Sequence, residues 1–342
     1  MGMTFLIVTI CIALAFDVLN GFHDAANSIA TIVSTRVLTP QAAVLWAAFF
    51  NFIAMFIFAP RVADTISKIV KIDPADTVYM IVIFSGLIGA MLWDLVTWWL
   101  GLPTSSSHAL IGGLSGAALA YGGWDTLRMD MLIITIKFIV FAPVLGFAMG
   151  FFLIIALYWI FKNARPSTID SGFRKGQLLS AACYSIGHGA NDAQKTMGVI
   201  MALLLAGNAL PADAKLSLFN PQTSWIIFSC QIAISLGTAF GGWRIVKTMG
   251  MKITKLKPIG GFCAELAGAA TLFLATHFGI PVSTTHTITG SIIGVGSATT
   301  PFSRIKWGIA TRIVIAWALT IPASAAVAAL CFYLGQFLQA HL

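Results

Sequence analysis

Residues 279–290 read GIPVSTTHTITG, and residues 101–112 read GLPTSSSHALIG. At an offset of 178 (101 to 279), Gly101, Pro103, Ser105, His108, Gly112 and Gly116 meet Gly279, Pro281, Ser283, His286, Gly290 and Gly294. Ser106 and Ser107 meet Thr284 and Thr285. Pro and Gly end one helix, and a row of hydroxyls caps the next. Each stretch therefore predicts a helix that begins inside apolar sequence. Such a start presents free backbone N–H groups and the positive end of the helix dipole. With hydroxyl donors beside it, it makes an anion site, and two copies facing each other suit a tetrahedral oxyanion. Ser and Thr in apolar helices also bond back to their own carbonyls. That reading accounts for one hydroxyl more easily than for six at two matched places.

The surroundings decide the fold class. The chain has 342 residues, of which 58% are hydrophobic and only 9% charged. A soluble domain carries about 25% charged residues, so this chain cannot cover a water-facing surface. Apolar runs fall at about 4–30, 40–60, 77–100, 103–122, 131–161, 177–206, 223–243, 259–278, 281–298 and 307–337, and crossing a bilayer core takes about 20 helical residues. The expectation is an all-α polytopic membrane protein with about ten membrane segments, some broken or re-entrant where Gly and Pro interrupt them. A β-barrel would show short alternating strands instead. The net charge of +8 does not point to nucleic acid, because the basic residues sit in loops. The five cysteines lack any metal-binding or disulfide spacing, and no cofactor is expected.

The basic loops orient the chain. Lys162, Arg165, Arg174 and Lys175, five basic residues between Arg244 and Lys257, and Arg304 with Lys306 all fall on one face, which the positive-inside rule makes cytoplasmic. Both termini then lie outside. Residues 1–161 form a first repeat, 162–176 a cytoplasmic linker and 177–342 a second repeat. With five segments in each, the second enters the membrane from the opposite face. This is the inverted-topology arrangement of many secondary transporters, whose sites lie at the midplane between repeats.

A second motif pair supports the repeat. GFHDAANSIA (21–30) aligns with GANDAQKTMG (189–198) at an offset of 168, pairing Asp24 with Asp192 and Asn27 with Lys195. Arg61 and Arg244 make a weaker third match. An ionised Asp at membrane depth is costly and marks a functional site. Asn27 follows Asp24 by three residues and shares its helix face. Carboxylate and amide oxygens so placed suit sodium, with Asp24, Asn27 and Asp192 as candidate ligands, or a proton on the carboxylates. Lys195 could pair with Asp192, contact a bound anion, or fill the space of a sodium ion in the second repeat. Asp17, Asp94 and Glu265 read as gating or packing groups. Asn51 and Gln231 serve a ligand or glue helices together. His108 and His286 carry protons or hold structure.

These residues resemble the inorganic phosphate transporter family, whose signature is a G-A-N-D-x-x-N type motif in each half. The resemblance covers nearly the whole chain in order. It implies secondary-active symport of inorganic phosphate by alternating access, driven by sodium or protons. By position, Asp24, Asn27, Asn191 and Asp192 match the signature as coupling-ion or proton residues. Ser105, Ser106, Ser107, Ser283, Thr284 and Thr285 match the hydroxyl runs that would bind phosphate, with Lys195 as a further phosphate contact. Phe22-His23 and Gln194-Lys195 depart from the pattern. The second form looks like bacterial members described as proton or metal-phosphate symporters, and the short central loop also points to a bacterial plasma membrane. A homodimer is compatible with this reading. The rivals are a sulfate permease of the same fold, separable by sulfate competition, and a passive anion channel, which would give no uphill accumulation. A membrane enzyme using Ser107-His108 or Thr285-His286 is disfavoured, because adjacent helical residues do not face each other.

Overall fold

In the computed structural model, residues 2–73, 76–211, 213–252, 255–301 and 306–341 are described. Arg304, one of the orienting charges, lies outside them. The helices in chain order are α1 (Met3–Ser34), α2 (Pro40–Ile53), α3 (Arg61–Ile66), α4 (Thr77–Leu100), α5 (Ser106–Gly122), α6 (Met129–Ile160), α7 (Pro166–Ala206), α8 (Ser224–Phe240), α9 (Trp243–Lys247), α10 (Pro258–His277), α11 (Thr284–Thr299) and α12 (Trp307–His341). Pro40, Pro166 and Pro258 open their helices in the first turn, where a missing N–H costs nothing. Among the described residues no strand forms beyond one isolated bridge, Val70 with Leu127. Five helices are long and apolar enough to cross a membrane, and α8 with α9, bent by 59°, makes a sixth.

Two helices differ from what hydropathy suggests. The polar stretch Lys162–Gly176 is helical from Pro166 onward. Its residues keep helical geometry although they lie largely exposed, because they extend the buried part of α7 without a break. The short helices α3 and α9 fall outside every apolar run. Each carries an arginine and follows the end of a longer helix.

Helices α4 and α5 form an antiparallel hairpin, as do α10 and α11. At the base of the first, the Tyr121 hydroxyl donates to Asp76 Oδ2 at 2.5 Å, and the Lys71 and Arg128 amides donate to Thr126 and Ile69. At the base of the second, Gly260 packs against Val295. The two bases lie at opposite ends of the bundle. Phe5, at the start of α1, stacks on Phe84 of α4 at 5.5 Å, whereas Thr31, near the end of α1, donates to Glu265 of α10 at 2.6 Å.

Matched glycines explain how the hairpins are gripped. A Cβ on Gly112 or Gly116 would strike the backbone of α12 at Ile321 or Ala325. A Cβ on Gly290 or Gly294 would strike the backbone of α6 at Pro143 or Phe147. Where lipid removes the hydrophobic drive between helices, close backbone approach at small residues supplies the packing energy. Each glycine pair thus docks a hairpin arm on the last helix of the other half. The faces of α6 and α12 turned away from these contacts carry exposed apolar side chains, including Val140, Phe152, Trp159 and Leu330, as a lipid-facing surface requires.

Candidate functional site

Gly101 and Gly279 end α4 and α10 with φ of +65° and +69°, a left-handed turn that favours glycine. The chain then runs extended to Ser105 and Ser283, which are the N-caps of α5 and α11. Their hydroxyl oxygens accept from the backbone N–H of His108 at 3.2 Å and His286 at 3.1 Å. Ser105 and Ser283, read from the sequence among the anion contacts, are therefore engaged in capping their own helices. The hydroxyls that face the centre are Ser106, Ser107, Thr284 and Thr285.

The two helix starts meet. Ser107 donates to Val282 O at 3.4 Å, and the His108 and His286 rings pack edge to face at 4.6 Å. Trp317 backs His286 at 3.7 Å and donates to Pro103 O at 3.0 Å. His108 and His286 are thus packed together behind the hydroxyls.

Helix α1 supplies one wall. Its buried polar residues Asp17, Asn20, Asp24, Asn27 and Thr31 recur at steps of three and four, so they line one face. Ser106 donates to Asn20 Oδ1 at 2.6 Å and to Asp24 Oδ2 at 2.8 Å. Asn27 Nδ2 donates to Thr284 at 3.1 Å and Thr285 at 2.9 Å, and its buried Oδ1 has no hydrogen-bond partner. Asp24 Oδ1 lies 2.8 Å from His23 Nδ1, and His23 Nε2 lies 3.1 Å from Thr97. The first-motif departure at His23 therefore holds Asp24 in place.

Helix α7 supplies the other wall. Asp192 Oδ2 accepts from Thr284 at 3.0 Å, and Asp192 Oδ1 lies 2.5 Å from Lys195 Nζ. Lys195 Nζ also donates to Ser107 and, at 2.9 Å, to Val282 O. The Lys195 ammonium, only 1% exposed, thus sits in a cage of protein oxygens. Asn191 does not reach the centre. It accepts from Val282 N and donates to Thr276 and Ile280 O, which braces the turn between α10 and α11. Gln194, the other departure in this motif, accepts from Val62 N at 2.9 Å and donates to Ala59 O at 3.1 Å, fixing the start of α3.

Asp24, His188 and Asp192 each offer one ligand atom within 4.8 Å of the others. The sequence pairs Asp24 with Asp192 but gives His188 little weight. His188 Nε2 lies 3.1 Å from Asp192 Oδ2, within ion-pair distance but off the hydrogen-bond direction. Its Nδ1 lies 3.2 Å from Asn51 Oδ1, and Asn51 Nδ2 donates to Thr238 at 2.9 Å. Asn51 therefore presents an acceptor to Nδ1, which places the neutral ring's proton there and leaves the Nε2 lone pair facing the carboxylates. Gln231 donates to Asn51 O. The paired amides thus join α2 to α8 and aim His188. Tyr184, also unweighted in the sequence, donates to Thr284 O at 2.9 Å. Such single contacts between distant segments leave no local pattern to read.

Away from this centre, Glu265 accepts from Thr31, Gln177 and Ser180 at 2.6, 2.9 and 2.5 Å, a packing knot between α1, α7 and α10. Asp17 and Asp94 are buried without hydrogen-bond partners.

A family model described as "Phosphate transporter family" matches residues 20–328. The chain is 54% identical over 328 residues to a probable low-affinity inorganic phosphate transporter of Rhizobium meliloti (strain 1021), covering 96% of each chain. It is 43% identical over 330 residues to a protein of the same description from Bacillus subtilis (strain 168), again over 96% of each. A solved structure described as "The sodium-dependent phosphate transporter" superposes with a TM-score of 0.85 at 26% identity, covering 98% of this chain and 100% of that one. These relatives are transporters, not enzymes, and the apolar helices make this chain a multi-pass membrane protein. The chain belongs to the phosphate transporter family.

Proposed function

We propose that this protein is a secondary-active symporter that imports inorganic phosphate, alone or as a metal complex, across a bacterial plasma membrane. The observation that carries the reading is the meeting of the α5 and α11 starts between Asp24 and Asp192. Two sets of free N–H groups and the hydroxyls of Ser106, Ser107, Thr284 and Thr285 face one buried centre. An oxyanion there gains hydrogen bonds and the favourable ends of two helix dipoles. Asn27 and Lys195 complete the donor set.

The carboxylates make anion entry depend on a cation. Two buried negative charges repel phosphate unless a cation or protons accompany it. Asp24, Asn27, His188 and Asp192 supply oxygen and nitrogen atoms for that partner, which on this reading is a proton or sodium. Lys195 holds a permanent positive charge against Asp192 in the second half, where Asn27 stands in the first. The coupling cation then binds beside Asp24. Ten membrane segments in two inverted repeats exchange roles to give alternating access. The matched glycines and matched helix starts in the two halves support that symmetry.

The test is uptake of labelled phosphate into proteoliposomes under separately imposed sodium and pH gradients. Uphill accumulation driven by one gradient, and not abolished by excess sulfate, is the expected result. Flux that only follows the phosphate gradient would make the protein a channel. Full competition by sulfate would make it a general oxyanion carrier.

A further inference from the structure

The short helices α3 and α9 make the same two contacts in opposite halves. Arg61 Nη1 donates to His277 O at 2.6 Å, and Thr65, one turn on, donates to Gly279 O at 2.7 Å. Arg244 Nη1 donates to Trp99 O at 2.7 Å, and Thr248, one turn on, donates to Gly101 O at 3.0 Å. Arg244 is further seated over Trp98 and Trp99, at 5.1 and 4.7 Å from the ring centroids. Each arginine meets the last carbonyls of a helix, which lack intrahelical donors and carry the negative end of the dipole.

The partners matter more than the capping. Each acceptor turn leads directly into a helix start that carries site hydroxyls. Gly279 leads to Thr284 and Thr285, and Gly101 leads to Ser106 and Ser107. Each arginine comes from the other half of the chain. The contacts also lie toward opposite ends. Helix α3 packs on Gly198 of α7, near the α7 terminus that lies against Leu6. The turn after α9 packs through Gly250 on Ala30, near the far end of α1. Between them the site is closed. Asp24, Asn27, Ser107, Asp192, Lys195 and Thr285 are each 3% exposed or less.

We propose that Arg61 and Arg244 are positioning residues acting as paired latches, each holding one hydroxyl-bearing helix start closed toward one face of the membrane. With both engaged, as here, the site is occluded. Release of Arg61 frees the α11 start toward the end where α3 lies, and release of Arg244 frees the α5 start toward the end where α9 lies. Gln194, which grips the start of α3 and adjoins Lys195, links the first latch to the charges at the centre. The first half has Ala26 at the equivalent place and so lacks that link. This inference rests on the alternating-access reading above but does not depend on which ion or oxyanion is carried.

Both latches are exposed, so each can open and close readily. Losing a charge-assisted hydrogen bond shifts a two-state opening by about tenfold. The test uses purified full-length protein in nanodiscs, where both faces are reachable. Met197→Cys lies beside the cavity next to α3, and Ile29→Cys lies at the repeat-equivalent position on α1. A hydrophilic maleimide reports access to each against the labelling of protein without the reporter. Arg61→Ala should speed labelling at position 197 about tenfold and leave position 29 unchanged, and Arg244→Ala should do the reverse. Thr65→Val and Thr248→Val, which remove only a hydroxyl, should shift the same positions by less, and Arg61→Lys should restore part of the effect. If an alanine variant does not stay monodisperse, the threonine and lysine variants carry the test. Equal acceleration at both positions would mean general loosening, and no change at either would mean simple capping. Either result overturns the proposal. Phosphate uptake measured alongside separates failure of the latch from failure of the transport reading.

Discussion

Lys195 Nζ lies 2.5 Å from Asp192 Oδ1, one helical turn away on α7, with both side chains almost fully buried. The same place in the first half holds Asn27 near Asp24. Removing one partner of a buried ion pair costs about 3–5 kcal/mol, because the other charge is left uncompensated. Lys195→Met should therefore suppress phosphate uptake at any sodium concentration. Lys195→Asn restores the first-half residue and opens room among Asp192, Ser107 and Val282 O. Its uptake should become sodium-stimulated. Initial rates in proteoliposomes with and without sodium check both. An unchanged sodium response in Lys195→Asn would remove the idea that the ammonium takes the place of a bound ion.

Tyr184 is fully buried and donates its hydroxyl to Thr284 O at the first turn of α11. Tyr184→Phe keeps the ring and removes that bond, a loss of about 1 kcal/mol. The start of α11 should then be held less firmly where the anion contacts converge. The apparent KM for phosphate should rise about fivefold, with little change in maximal rate. A fall in maximal rate at constant KM would place Tyr184 in the conformational step instead.

The parts of the site that were legible in the sequence are those that occur twice. The hydroxyl runs and the Asp motifs could be read because a matched copy makes chance or local back-bonding a poor explanation. Their internal division of labour was not legible. Ser105 and Ser283 look like their neighbours in sequence, yet cap geometry turns them toward His108 N and His286 N. Asn191 belongs to the motif but spends its amide on the α10–α11 turn. Asn20, Tyr184 and His188 act through contacts with residues more than 80 positions away or across helices, which no periodicity encodes. Helices α3 and α9 escaped because they are short and polar, whereas membrane segments are found by long apolar runs. The weak match between Arg61 and Arg244 was their only trace.

The matched glycines give a prediction about assembly. A side chain at Gly116 would run into the Ala325 backbone, and one at Gly294 would run into Phe147. Forcing atoms into a close-packed contact costs about 1–3 kcal/mol when side chains can yield, and here backbone must move. Gly116→Val and Gly294→Val should each lower the thermal midpoint in detergent and reduce the folded yield. Gly172→Ala, at an exposed helical position with nothing within 4 Å of the added carbon, is the control. It should be neutral or raise stability by about 0.5–1 kcal/mol. Equal tolerance at all three positions would show that helix contacts at these glycines do not set stability.

Asp76 ties the base of the first hairpin together outside the apolar core. It accepts from Tyr121 at 2.5 Å and from Val78 N at 2.9 Å. These two bonds, the tyrosine's first, hold its carboxyl below the ordinary carboxylate value. A lowered native pKa means that the unfolded chain takes up the proton first as the solution is acidified. The contribution to stability is therefore complete above the unfolded value of about 4. It declines as the pH falls through the native value and is absent below it. Tyr121→Phe should lower the thermal midpoint slightly at pH 7, and the gap from the parent protein should close as the pH is taken below about 4. Asp76→Asn should show the same small deficit near neutrality with no dependence on pH in that window. Melting curves of the three proteins between pH 7 and pH 3, in one detergent at fixed ionic strength, give the comparison. A gap between the parent and Tyr121→Phe that stays constant into acid would assign the tyrosine's effect to packing rather than to the Asp76 charge.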